Sequence, residues 1–260
     1  MSATPAPVAP LLQASGVGKR FEGIVALADV TMHVDPGEFV AVIGPNGAGK
    51  STLFNCLTGV LRPERGSVSF EGRPLTHLRP SQRARLGIGR TFQRIELFGG
   101  MAVRDHLLVA ERARSHRGGL WSDLFRSSRP TPEEQQRCDR VLDLLGLGDV
   151  ADRPADSLSL GRGRLVELGR ALMGEPSLVF LDEPSSGLDH DETYEMGEAL
   201  RVVQREQGTA VVLIEHDVPM VQRLAARTYV LDHGSLIASG PTDDVLEDDK
   251  VRAAYLGVVA

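Results

Sequence analysis

The chain is poor in several of the residues that commit a protein to whole classes of function. Cysteine is scarce: Cys56 and Cys138 are the only two in 260 residues, too few for a disulfide framework or a cysteine-rich metal centre. Both therefore read as free thiols of a reducing cytosol. Long apolar runs are missing as well. No stretch reaches the ~18 residues of a spanning helix, and Ser2 to Pro10 offers neither a basic start nor an apolar core, so neither a membrane span nor a signal peptide is expected. Work at a membrane would need a partner to hold the chain there. Positive charge is in deficit, with 29 Lys and Arg against 35 Asp and Glu, a net charge of −6. That balance argues against a nucleic-acid partner, whose phosphates call for a basic surface.

What the chain does have is concentrated in one stretch. Phe39-Val40-Ala41-Val42-Ile43 is an apolar, β-branched run too short for a helix. It stops at Gly44-Pro45-Asn46-Gly47-Ala48-Gly49-Lys50-Ser51-Thr52, after which Leu53, Phe54 and Leu57 resume at helical spacing. The pattern predicts strand, phosphate loop, helix. Gly44, Gly47 and Gly49 let the backbone approach a ligand so that successive N–H groups point at phosphate oxygens, and the helix opening at Lys50 adds its positive end. Lys50 can reach the β- and γ-phosphates of a nucleoside triphosphate, and the Ser51 hydroxyl suits a magnesium ion bridging them. By chance such a glycine, lysine and hydroxyl spacing should arise in roughly one per cent of chains this long.

The uncharged, proline-punctuated residues 1–10 read as a disordered tail. Leu11–Ala14, Lys19–Phe21 and Ala28–Val34 read as strands, with Phe21 either core or a face for a base, core being favoured by the pattern. Gly66–Gly72 alternates as another short strand, and a polar, arginine-rich segment runs from Arg79 to Arg90. Residues 93–172 lose the alternation of strand and helix and read as an inserted helical subdomain, splitting an α/β core of 11–92 and 173–260. Within it, Thr131, Pro132 and Glu134 form a capping box ahead of Cys138, Val141, Leu142 and Leu145, and Leu120–Phe125 carries a small apolar stripe among arginines. The rhythm returns with Leu178–Leu181 ending at Asp182-Glu183, a helix through Tyr194 to Gln207, and Ala210–Ile214 ending at Glu215-His216. A hairpin turning at His233-Gly234 and a capped helix from Thr242 close the chain.

Adjacent carboxylates at a strand end diverge and can serve different atoms. Asp182 is the candidate metal ligand and Glu183 the candidate base for an attacking water, with His216 level with them at the carboxyl ends of a parallel sheet. Ser159, Gly161 and Gly163 at a helix start form a second anion site. Two phosphate-binding elements for one nucleotide make sense if two copies face each other head to tail.

In order and spacing these motifs resemble the ATPase subunits of ABC transporters over nearly the whole chain: Gly44–Thr52 as Walker A, Gln93 as Q-loop, Leu158–Gly163 as signature, Leu178–Glu183 as Walker B, Ser186–Asp189 as D-loop and His216 as switch histidine. The resemblance implies a P-loop α/β core with an N-terminal antiparallel β-subdomain and an inserted helical subdomain. It also implies ATP hydrolysis with magnesium held by Ser51, Gln93 and Asp182, and Phe21 stacked on adenine. Ser159, Gly161 and Gly163 would contact the γ-phosphate held by a second ATPase subunit, with Asp189 relaying between the two. Partners implied are two integral-membrane permease subunits and a separate substrate-binding protein, with no nucleic acid, at the cytoplasmic face of the cell membrane. Asn55–Gly59, Gly89–Gln93, the Leu120–Phe125 insertion, Ile214–Asp217 and Ala254–Gly257 further resemble the ATPases of branched-chain amino-acid importers, a likeness that importers of urea, amides and other amino acids share. Soluble, non-transport ABC proteins usually carry two nucleotide domains or a long coiled coil, and this chain has neither. A P-loop kinase or GTPase has no use for the second anion site. One departure stands out: Arg162 occupies the place of the family's glutamine.

Overall fold

The computed structural model describes residues 9–91, 97–115 and 130–256. Most of the expected tail, together with Gln93, Ile95, the Leu120–Phe125 stripe and Gly257, lies outside the described residues.

Two sheets carry the architecture. Leu12–Phe21 (β1) and Ile24–Val34 (β2) pair antiparallel, and after Phe39–Ile43 (β3) the chain adds Arg65–Phe70 (β4) and Arg73–Pro74 (β5), giving the order β2-β1-β4-β5. The runs Leu11–Ala14 and Lys19–Phe21, expected as separate strands, are one strand. Register shifts after Ala14 and Val17 keep β1 paired through its glycines, and a bulge of this kind erases the period-two signal locally. The hairpins at Glu22-Gly23, Glu71-Gly72 and His233-Gly234 all close with two left-handed residues, at φ 47/89, 49/73 and 42/79. Two-residue turns of this hand match the twist of the strands they join.

The second sheet runs β10-β9-β3-β8-β7-β6, with Ile88–Arg90 (β6), Leu178–Asp182 (β7), Ala210–Ile214 (β8), Arg227–Asp232 (β9) and Ser235–Pro241 (β10). Strands β9, β3, β8, β7 and β6 are parallel and β10 closes one edge antiparallel. Every residue of β3, β7 and β8 is buried, as a sheet covered on both faces requires. Alternate residues serve different cores. Phe39, Ala41, Leu181 and Leu213 face a helical layer, whereas Val40, Val42, Phe180 and Val212 face the first sheet and helix α1 (Lys50–Thr58).

The helical layer contains Val103–Ser115 (α3), Pro132–Leu144 (α4) and Leu160–Leu172 (α5), joined by His190–Gln207 (α6) and Val218–Leu224 (α7), with Pro80–Arg85 (α2) on the other side. Gly169 lets α5 sit close: a Cβ there would stand 3.2 Å from Leu145, 3.4 Å from Val141 and 3.5 Å from Leu107. The capping box of α4 is present, Thr131 Oγ1 accepting from the Glu134 N–H at 3.2 Å and Glu134 Oε2 from the Thr131 N–H at 2.8 Å. Thr242–Glu247 (α8) begins where expected, but Thr242 does not cap it. Its buried hydroxyl donates to the Ala225 carbonyl at 2.7 Å instead. Helix α2 and strand β6 were hidden in the arginine-rich segment, because β6 is three residues long with Gly89 at its centre and pairs along one edge only.

Arg83 on α2 explains that segment. Its side chain is 2% exposed, and its guanidinium donates to the carbonyls of Leu78 (3.1 Å), Cys56 (3.1 Å), Leu57 (2.6 Å) and Leu75 (2.8 Å). It thereby ties the C-terminal end of α1, the helix that starts at the phosphate loop, to α2, although burial pushes the guanidinium down to about 10. Gly59 is required beside it, since a Cβ would stand 2.5 Å from Arg83 Nε. Arg83→Met strands several buried carbonyls, so urea unfolding should show a loss of roughly 3 kcal/mol. A loss below about 1 kcal/mol would contradict this staple.

Candidate functional site

The site follows from strand register. Val42 of β3 and Asp182 of β7 both lie opposite Ile214 of β8, so the three strands end level and the chain leaves them at Gly44, Glu183 and Glu215-His216 along one edge.

The loop at the end of β3 is seated by glycines. At Gly44 (φ 151°) a Cβ would meet the Leu231 carbonyl oxygen at 2.1 Å, and at Gly49 (φ 103°) the Ala26 carbonyl oxygen at 2.6 Å. The loop is thus pressed onto β9 and β2, with Ala48 buried, Pro45, Gly49 and Thr52 half-buried, and Asn46, Gly47 and Ser51 turned to solvent. Lys50 is buried, its Nζ donating to the carbonyls of Gly44 (2.7 Å) and Pro45 (3.0 Å). Burial lowers its pKa, opposed by the carboxylates of Glu183 and Asp182.

Those two carboxylates differ in surroundings. Asp182 is buried at the end of β7 and its pKa is raised, first by burial and then by Glu183, while Arg90 and Lys50 pull the other way. Its Oδ1 is buried and makes no hydrogen bond among the described residues. A buried carboxylate oxygen left open fits a hard cation with oxygen ligands. Among the described residues no three His, Cys, Asp or Glu side chains gather to hold a metal alone, so such an ion would take ligands from phosphate. Glu183 is half-buried and held at φ 49°, its N–H donating to the Ile214 carbonyl at 2.9 Å. A non-glycine residue in that region is costly, by about 1–3 kcal/mol, and persists where its surroundings fix it.

Glu215 had no role in the sequence reading and organises this edge. It is fully buried, with Oε1 accepting from the Ser185 N–H (2.9 Å) and Oε2 from the N–H groups of His216 (2.9 Å) and Asp217 (3.2 Å). An acidic residue directly after a buried strand was the available signal. Glu215 locks the loop after β7 to the loop after β8. His216 beside it is exposed, its Nδ1 3.7 Å from Glu215 Oε2.

The second anion element lies at the start of α5. Ser159 is its exposed N-cap, its hydroxyl oxygen accepting from the Arg162 N–H at 3.4 Å. The Gly163 N–H is already used within the helix, donating to the Ser159 carbonyl at 3.0 Å, which removes Gly163 as a free donor. The Gly161 N–H donates to Glu192 Oε1 at 3.0 Å. Arg162, at the departure from the family pattern, turns to Asp149, its Nη1 donating to both carboxylate oxygens, Oδ1 at 3.0 Å and Oδ2 at 2.8 Å. Asp189 caps α6, its Oδ1 accepting from the Glu192 N–H at 2.9 Å. Phe21, favoured as core by its pattern, is 44% exposed beside the β1–β2 turn, with Lys19 Nζ 5.4 Å from its ring centroid. Gln93 lies outside the described residues.

Comparisons with known proteins bear on the family and the fold. A family model described as ABC transporter matches residues 27–186, and one described as branched-chain amino acid ATP-binding cassette transporter matches residues 235–260. The high-affinity branched-chain amino acid transport ATP-binding protein LivG of Escherichia coli (strain K12) is 37% identical over 95% of this chain and 98% of its own length. BraF of Pseudomonas aeruginosa, with the same description, is 34% identical over the same shares. The crystal structure of a nucleotide-free ATP-binding cassette from an ABC transporter superposes with a TM-score of 0.82 at 32% identity, covering 96% of this chain and all of the other.

Glu215→Gln tests the buried brace. The amide replaces an acceptor with a donor facing backbone N–H groups, so the variant should lose about 2–3 kcal/mol in urea unfolding. Wild-type stability would mean the carboxylate is not bracing the two loops.

Proposed function

The chain belongs to the ABC transporter family, and from that premise we propose that it is the ATP-hydrolysing, energy-coupling subunit of an importer of branched-chain amino acids. The observation that carries the reading is the convergence of the phosphate loop, Asp182-Glu183 and His216 on one sheet edge. The match over residues 235–260 and the names of the two relatives support the substrate class.

On this reading the loop N–H groups from Gly44 to Thr52 cradle the phosphates, and Lys50 leaves the Gly44 and Pro45 carbonyls for the β- and γ-phosphates. Phe21 offers its open face to adenine. Ser51, Asp182 and Gln93 would hold magnesium, which when bound would neutralise charge on the phosphates. Glu183 orients the attacking water and takes its proton, and His216 lies level with the γ-phosphate. Ser159 and Gly161 serve the nucleotide of a second ATPase subunit across a head-to-tail dimer, and Asp189 stands between the two sites. Residues 93–172 act as the helical subdomain of this machine. Among the described residues no helix is long and apolar enough to cross a membrane. Attachment at the cytoplasmic face is therefore assigned to two permease subunits, supplied by a separate binding protein.

A contact surface for the permease is available between the sheet edge and the helical layer. A cavity of ≈ 380 Å³ lies there, lined by Thr58, Ile88, Arg90, Ala110, Arg170 and Ala171 among others. Phe98 is 57% exposed and stacked on buried His106 (centroids 5.8 Å, planes 11° apart), which lies one turn along α3 from Ala110. Leu97 packs against the helical core, and Met101 is half-buried. A short amphipathic helix of a permease subunit would bury this apolar surface at about 25 cal/mol per Å².

Two substitutions test the proposal. Glu183→Gln should keep ATP binding, lose about 10²–10⁴-fold in turnover and accumulate as an ATP-bound dimer. Wild-type hydrolysis would remove Glu183 from the base role. Phe98→Asp should leave nucleotide binding and thermal stability of the isolated subunit near normal while abolishing co-purification with the permease subunits or transport. An unfolded subunit, or normal transport, would refute the docking assignment.

A further inference from the structure

The start of α5 is already occupied, and by an anion of this same chain. The first-turn N–H groups of a helix have no acceptor inside it and favour negative charge. Here the Arg162 N–H is taken by the Ser159 hydroxyl and the Gly163 N–H by the Ser159 carbonyl, and the Gly161 N–H points out of the helix to Glu192 Oε1 at 3.0 Å. Glu192 does more than touch it. A Cβ on Gly161 would stand 2.9 Å from Glu192 Cγ and Cδ and 3.0 Å from its Cβ, so the glycine is what allows the carboxylate to lie against the helix start.

We propose that Glu192 is an internal stand-in for the γ-phosphate: in the free subunit its carboxylate holds the Gly161 donor that the partner-bound nucleotide needs, and it must leave for the dimer to close. The inference rests on the reading that Ser159 and Gly161 serve a nucleotide bound by a second copy. One N–H cannot serve a carboxylate and a phosphate oxygen together, and two anions brought to it repel. The site thus has a built-in competitor. Glu192 lies in the first turn of α6, and its own N–H is held by Asp189 Oδ1 at 2.9 Å. Displacing Asp189 shifts the turn that carries Glu192, so rearrangement of the Ser186–Asp189 loop at the dimer interface is what frees Gly161.

The test uses the Glu183→Gln subunit as parent, which should retain ATP, with dimer formation followed by analytical ultracentrifugation against ATP concentration. Adding Glu192→Ala should lower the ATP needed for half-dimerisation by about ten-fold, the effect of releasing one charge-assisted hydrogen bond. Adding Glu192→Gln, which keeps the shape and an uncharged acceptor, should give a smaller shift in the same direction. If Glu192 merely packs the helix in place, the glutamine variant will dimerise like the parent or the alanine variant will need more ATP, and either result overturns the proposal. Should the alanine variant fail to fold, the glutamine variant decides alone. A parent that never dimerises with ATP would instead sink the head-to-tail reading, and this inference with it.

Discussion

The parallel ladder of β3, β8 and β7 is the constraint on which the site depends. The site's members come from residues 44–52, 182–183 and 215–217, which share nothing in sequence except that each stands at the carboxyl end of a five-residue strand buried on both faces. Because alternate side chains of those strands feed two different cores, a slip of one residue would exchange the cores as well as displace the strand ends. Two hydrophobic clusters therefore specify the placement of Lys50, Asp182 and Glu183. Apolar packing fixes the position of charge, and the charged groups themselves stabilise little.

Two buried ionisable groups refine that placement from opposite ends. Glu215 ties the loops after β7 and β8 together through three backbone N–H groups. Arg83 ties the far end of α1 to α2 through backbone carbonyls. Neither has an ion-pair partner as its main contact; each is satisfied by main chain, which fixes backbone geometry where a side-chain partner would fix only another side chain. Burying such groups is costly, and the cost is recovered only when every donor or acceptor is met. Their presence beside the phosphate-loop helix and the Asp182-Glu183 turn is consistent with a site that has to be held to a fraction of an ångström.

Much of this was legible in the residues. The phosphate loop, the capping box at Thr131, the two strands ending in carboxylates and the His233-Gly234 turn are local signals, and local signals survive folding. What was not legible is tertiary. Strand β6 has no pattern of its own and exists because β7 offers an edge. Phe21 reads as one more apolar residue of an alternating strand until its hairpin is seen to carry it into solvent. Arg83 and Glu215 look like solvated charges in sequence, since only the fold reveals which carbonyls and N–H groups need them. The Glu192 to Gly161 contact joins residues 31 apart, and no spacing rule announces it.

The chain already satisfies with its own atoms two of the groups that nucleotide is read to engage. Lys50 rests on the loop carbonyls, and Gly161 rests on Glu192. On the proposed reading the ATP contacts to Lys50 and Gly161 each displace one that exists, so for these two groups the net gain is a difference between two charge-assisted bonds, each worth about 1.5–3 kcal/mol. On the proposed reading, a diphosphate can compete for Lys50 but brings no γ-phosphate to compete for Gly161, so it binds one subunit without paying back the carboxylate of the other. Triphosphate does both, and after hydrolysis the returning carboxylate of Glu192 reclaims its donor and favours separation. On that reading the same residue that opposes closure also favours release.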